Sequence, residues 1–184
     1  MKTAFRLAIY ATCVKENKMK TSADDKKVKR NDAVDNIGLI GAEPLDMTSD
    51  NVLAFIERRQ HVTFVELHRY FTGFEGELCY GDLLNNILYW SGMSEEVCDI
   101  LDELVSKGKI YAKPTVFLTY LADGGGLDAP LAKRQNFHYK KPRWLPVTWC
   151  SKSHLRHESP AIRKQYDEQM LDRRNKKLVD GKID

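Results

Sequence analysis

Cys150, His154 and His157 follow one another as C-x3-H-x2-H and place a thiol and two imidazoles close together in the chain. Those donors suit a zinc-class cation. A structural zinc site, however, draws four ligands from paired cysteines and histidines, and this run lacks both a second cysteine and a fourth ligand. His61 and His68 stand seven residues apart, which matches no ligand spacing. No Ser/His/Asp or Cys/His set can be assembled from one sequence. Gly124-Gly125-Gly126 lacks the lysine and the following helix that a phosphate-binding loop requires. The expectation is a protein that is not an enzyme, with no catalytic residues and no metal or other cofactor.

A different chemistry is written into residues 132 to 157, which contain no acidic side chain. Lys133, Arg134, Lys140, Lys141, Arg143, Lys152 and Arg156 alternate there with Phe137, Tyr139, Trp144 and Trp149. Cations neutralise phosphates and release counterions, while interleaved aromatic rings can stack on bases, so the mixture suits nucleic acid. A second reading makes Trp144, Leu145, Val147 and Trp149 a strand or extended arm packed on the core, with the cations facing outward; the two are compatible. Net charge is also segregated along the chain: residues 1–46 carry 9 basic and 7 acidic side chains, residues 47–131 carry 6 and 13, and residues 132–184 carry 14 and 6. An acidic middle and a basic tail mark a tail that meets nucleic acid, an anionic membrane or an acidic partner, or one folded over its own acidic domain.

The elements that must position these residues are legible from period and caps. Val97, Ile100, Leu101, Leu104 and Val105 make one helical face apolar; Ser94 caps its start, Glu95 and Glu96 favour the positive end of its dipole, and Gly108 ends it. After Gly108, Ile110 leads into a turn over Tyr111 to Thr115 and a β-rich run from Val116 to Leu121, a pattern that predicts a small hairpin. Upstream, a helix spans Ser49 to Arg59 with Val52, Phe55 and Ile56 inward. A capping box, Thr63-x-x-Glu66, starts a second helix that runs to about Phe71. Gly73 to Gly81 reads as a connector, and residues 82–90 fit either a helix or a short buried strand. Ser159-Pro160 opens a C-terminal helix to about Leu178 with a thin seam of Ile162, Tyr166 and Met170. The apolar residues between Ala4 and Ala11 are interrupted by Arg6 and precede no clean cleavage site, so neither an export signal nor a membrane span is expected. Residues 15–46, with the cluster Lys26-Lys27-Val28-Lys29-Arg30, read as a solvated linker.

The order helix, helix, variable segment, helix, hairpin over residues 49–121, roughly 40% of the chain, resembles a winged helix-turn-helix domain. The resemblance implies a last helix in the DNA major groove and a wing on the backbone. Here the outward face of that helix carries Glu95, Glu96, Asp99, Asp102 and Glu103, with Lys107 at its end. Such a face repels phosphates and lacks groove-reading residues. Nucleic-acid contact is therefore assigned to the wing, Lys109 and Lys113, and to the arm, Lys133, Arg134, Lys140, Lys141 and Arg143. The alternative is a protein–protein adaptor that docks through the acidic helix and binds no nucleic acid.

The expected fold is thus mainly α with a small β-hairpin (α+β): a flexible N-terminal extension (1–46), a winged-helix-like domain (47–131), a basic aromatic arm packed on it (132–158), and a charged C-terminal helix and tail (159–184). The partner is a nucleic acid, DNA rather than RNA, or else an acidic protein. Four scattered cysteines without a CxxC pair suggest buried thiols in a reducing, cytoplasmic setting.

Overall fold

The computed structural model describes residues 44–135, 137–168 and 170. The readings made above for residues 1–43, and for the C-terminal helix past Met170, lie outside the described residues. Among those described, no helix is long and apolar enough to cross a membrane.

Three helices form where caps and period place them. In α1 (Ser49–Arg59) the Thr48 hydroxyl accepts from the Asn51 amide, and Val52, Phe55 and Ile56 are buried. In α2 (Phe64–Tyr70) Thr63 and Glu66 complete the capping box. In α3 (Glu95–Ser106) the Ser94 hydroxyl accepts from the Val97 amide, and Val97, Cys98, Ile100, Leu101 and Leu104 are buried. Gly108 follows at φ 63°, the left-handed conformation that favours glycine. Its carbonyl accepts from the Tyr166 hydroxyl at 2.9 Å, which seats the helical segment 160–168 on the end of α3.

The sheets depart from the expected mainly α fold. Among the described residues the fold is mixed α/β, 44% helical and 25% strand, with one three-stranded and one two-stranded sheet. The stretch read as a connector is strand β1 (Glu75–Asp82). Its glycines are sites of close backbone approach: a Cβ on Gly76 would lie 2.4 Å from the Met93 carbonyl oxygen, and one on Gly81 would lie 2.3 Å from that of Ile87. A 3-10 turn (Leu83–Asn85) then leads to β2 (Ile87–Met93), antiparallel to β1, so the ambiguous segment ends as strand. The local hairpin is also corrected. Tyr111 to Pro114, read as a turn, belong to β3 (Ile110–Pro114), whereas Val116 to Leu121, read as strand, supply the cap and most of the short helix α4 (Phe117–Ala122).

The physical reason is tertiary. β3 finds its antiparallel partner in β5 (Val147–Ser151), far along the chain, and Val62 bridges to Trp149 on the other edge of β5. The two-residue strand β4 (Arg143–Trp144) lies parallel to β2 and completes the first sheet. α4 has no side-chain N-cap and is held by Tyr120, which is fully buried. Helix α4 thus overrides the β propensity of its sequence.

One run of rings joins these elements. Trp149 meets Phe64 edge-on at 5.7 Å; Phe64 stacks on Trp90 at 5.9 Å; Trp90 stacks on Tyr120 at 5.4 Å; Tyr120 meets Trp144 edge-on at 5.3 Å. All five are buried. The column therefore crosses β5, α2, β2, α4 and β4.

Two substitutions check the phase of α3. Leu101→Ala should cost about 2–5 kcal/mol in a denaturant titration, because it opens a cavity in the core. Asp99→Ala, on the exposed face, should stay within about 0.5 kcal/mol of the parent. A severe loss with Asp99→Ala would place that side chain on the buried face of α3 and contradict the assigned phase.

Candidate functional site

The basic arm is a closed loop with a buried neck. The Trp144 amide donates to the Pro130 carbonyl at 2.9 Å, and the Ala132 amide donates to the Trp144 carbonyl at 2.7 Å. Trp144 is 4% exposed, and its indole N–H donates to the Tyr89 carbonyl at 3.2 Å. This tryptophan is structural, as the packed-arm reading requires. Between the two sides of the neck, Tyr139 organises the loop. Its hydroxyl accepts from the backbone amides of Lys133 and Arg134, each at 2.9 Å. Its backbone pairs with the β1–β2 turn: the Tyr139 amide donates to the Asn85 carbonyl at 3.0 Å, and the Asn86 side chain donates to the Tyr139 carbonyl at 2.6 Å. The Arg143 guanidinium lies over the Tyr139 ring, 5.7 Å from its centre.

Around this hub Lys133, Arg134, Lys140 and Lys141 are exposed, and none of them makes an ion pair with another described residue. Phe137 is 46% exposed and stands edge-on to Tyr139 at 4.8 Å. Five of the seven expected nucleic-acid contacts are thus brought together. The other two are not. Lys109 is exposed at the start of β3, on the other sheet. Lys113, also from β3, donates to both oxygens of Glu158, at 2.8 and 2.9 Å. It is committed to an internal ion pair, so its assignment to phosphate is withdrawn.

The acidic face of α3 is in part consumed internally. Asp102 accepts from the Tyr80 hydroxyl at 2.8 Å, and Glu103 is bonded by Lys107 and by the Ser49 hydroxyl. Those hydrogen bonds, Lys107 foremost, hold the Glu103 carboxyl below its ordinary range.

The ion pair of Lys113 belongs to a polar cluster that no local spacing announced. Glu158, 4% exposed at its side chain, also accepts from the Tyr111 hydroxyl at 3.1 Å and lies 3.7 Å from His154 Nε2. The His154 ring meets His61 edge-on, with centres 5.0 Å apart. Cys150 Sγ lies 3.3 Å from His61 Nδ1. His61 reaches this position because Gln60 and His61 both adopt left-handed backbone, φ 55° and 52°. Gln60 is pinned there by bonds to the Ser151 hydroxyl at 2.8 Å and the Ser151 amide at 3.1 Å.

Electrostatics fix the protonation of this cluster. Burial alone would raise the Glu158 carboxyl, but hydrogen bonds from Lys113 and Tyr111 outweigh it and hold the group below its ordinary value. Desolvation, then the neighbouring Lys113 and His154, lower His61. Burial pushes the Cys150 thiol up, so a thiolate nucleophile is disfavoured there. Burial also raises the Tyr111 phenol. At neutral pH the cluster offers a charged carboxylate, a neutral His61 and a protonated thiol. The C-x3-H-x2-H run is not itself assembled as a site: Cys150 faces His61, whereas His157 accepts from the Arg156 side chain at 2.8 Å.

No protein-family model, no curated protein and no solved structure matches the chain.

Lys113→Met should leave Glu158 buried and half-partnered and cost about 2–3 kcal/mol, the scale of a charge-assisted hydrogen bond lost in a shielded site. Adding Glu158→Gln should recover part of that loss. A double-mutant cycle with no coupling between the two positions would show that the pair does not hold β3 to the segment following β5.

Proposed function

We propose that this chain binds nucleic acid by gripping phosphates with the loop 133–143. The observation that carries the proposal is the convergence of Lys133, Arg134, Lys140, Lys141 and Arg143 on one loop, organised by Tyr139, with none of the five in an ion pair with a described residue. Folded proteins usually temper such a cluster with carboxylates, because like charges repel. Here the loop is instead fixed by its neck and by the β1–β2 turn, so little ordering entropy remains to be lost when phosphate arrives. Half-exposed Phe137 supplies a face on which an unpaired base can stack. Specificity is not part of this reading, since phosphate contacts position a protein without reading sequence.

The β1–β2 hairpin stands between α2 and α3, and residues 115–146 lie between β3 and its partner β5, so the arm is carried on the connection between two paired strands. In this proposal DNA is the first target to test, and α3 does not enter a groove.

One observation favours a protein partner as the second reading. Val116, Leu118 and Leu121, at the start of and along α4, are 65%, 60% and 55% exposed, beside a groove of about 470 Å³ lined by Phe117, Leu131 and Trp144. Apolar side chains gathered on one short element suit a docking contact.

The test is a salt-dependent titration of the full chain against duplex DNA, single-stranded DNA and RNA. Reversing Lys133, Arg134, Lys140 and Lys141 to glutamate should weaken binding alike across sequences and flatten the plot of log affinity against log salt by about 3, with the melting transition kept. Phe137→Ala should cost about 1–3 kcal/mol on single strands and leave duplex binding unchanged. Intact binding by the fourfold variant would remove the arm from the site. Absence of binding by the parent at low salt would transfer the function to the docking reading.

A further inference from the structure

We infer that His61, His154 and Glu158 form a binding site for one zinc-class divalent cation. One ring nitrogen from each histidine and one oxygen of Glu158 already lie within 4.8 Å of one another. Around a tetrahedral zinc ion, with bonds of about 2.0–2.1 Å, ligand atoms stand about 3.4 Å apart. The cluster must therefore contract by little more than 1 Å on this scale. Rotation of the two rings can supply that movement, since His61 is exposed and His154 only half-buried, while Glu158 stays fixed by its partners.

The donor set selects the ion. Two imidazoles and one carboxylate suit zinc and its borderline neighbours, whereas calcium and magnesium prefer oxygen alone. Three protein ligands leave a fourth position open to water or to an incoming group.

The surroundings are those that a metal site needs. Metal-bound histidines commonly engage a second group through their other ring nitrogen, which fixes the ring and its tautomer. Cys150 Sγ, 3.3 Å from His61 Nδ1, is placed for that role and leaves Nε2 to face the ion. Tyr111 and Lys113 hold the carboxylate of Glu158 in its charged form. Lys113 is also the cost of the site, because its ammonium competes for the same two oxygens. A bound cation would take one oxygen and leave Lys113 the other.

The three ligands come from the connector after α1, the 3-10 turn (Lys152–His157) that follows β5, and the residue after that turn. Metal binding would clamp these segments together at the base of β5. The site shares no residue with the phosphate-gripping loop 133–143, so its failure and the failure of the nucleic-acid reading are separable.

The probe is zinc chloride alone, titrated calorimetrically into the full chain after chelator treatment, with the melting transition followed in parallel. The parent should bind one zinc per chain and melt higher with zinc, as binding to the folded state requires. His61→Ala should lower affinity by about 100-fold, and His154→Ala should do the same; Cys150→Ser should lower it by about 10-fold. Because His61 is exposed, its variant should keep the parent's circular dichroism and melting transition without zinc, and it decides the case even if the His154 variant folds poorly. His68→Ala and His157→Ala should bind as the parent does. Cobalt in place of zinc should give the visible bands of a four-coordinate ion, and His61→Ala should lose them. The assignment is overturned if the parent shows no stoichiometric binding, or if zinc binds the folded His61→Ala variant as tightly as the parent.

Discussion

The Tyr120 hydroxyl joins three parts of the chain at one buried atom. It donates to the Val147 carbonyl at 2.6 Å and receives the Phe64 amide at 3.5 Å, from inside a ring fully closed to water. A buried phenol without partners would oppose folding by a few kcal/mol, whereas here its polar demand is met by the first residues of α2 and β5. Burial raises this phenol's pKa, so it stays a donor at any ordinary pH. Its ring stacks on Trp90 and meets Trp144 edge-on. Tyr120 therefore ties α4 to the middle of β2 at Trp90, to the end of β4 at Trp144 and to the first residue of β5, and both candidate sites adjoin those strands.

The sequence was informative wherever structure is decided locally. α1, α2 and α3 each carry a capping side chain within three residues of the amide it accepts from, so their starts could be read without knowing the fold. Gly108 was legible for the same reason. The sheets were not, because β3 pairs with residues 147–151 and the signal for that pairing is divided between distant segments. Gly76 and Gly81 misled in an instructive way: glycine that permits backbone contact inside a strand looks the same in sequence as glycine that breaks one. Val116 to Leu121 misled because β propensity describes fit to a pleated surface, and Tyr120 found its fit in a helix instead.

The arm and the histidine cluster differ in legibility on the same ground. The arm is a contiguous bias in composition, and its neck residue Trp144 stood out beside Leu145-Pro146-Val147. The cluster draws His61 from before α2 and Glu158 from after β5, and the Val62–Trp149 bridge together with the Gln60 turn and its bonds to Ser151 brings them within reach. The one local hint was Cys150 near His154, and the structure groups His154 with His61 and Glu158 instead. Cys150 lies against His61, while the carboxylate beside His154 is Glu158, the first acidic residue after the basic stretch. The same carboxylate takes Lys113 out of the nucleic-acid assignment, so one contact revises both readings.

The acidity of α3 bears on how a polyanion could approach. The exposed Glu95 and Glu96 follow Met93 at one end of β2, whereas the arm is hydrogen-bonded to the β1–β2 turn and to β2 at its other end, beside Asn85, Asn86 and Ile87. Six strand steps at about 3.3 Å separate Ile87 from Met93, or about 20 Å. The Debye length at physiological ionic strength is about 8 Å, so that distance exceeds two screening lengths. Repulsion from Glu95 and Glu96 is thus largely screened at the arm, yet it acts at short range on a phosphate brought up to the start of α3. Asp102 and Glu103, further along the helix, are bonded to Tyr80, Ser49 and Lys107. The charge distribution therefore permits a polyanion at the arm and opposes one along the start of α3, which is the reverse of the polarity that groove insertion of this helix would require.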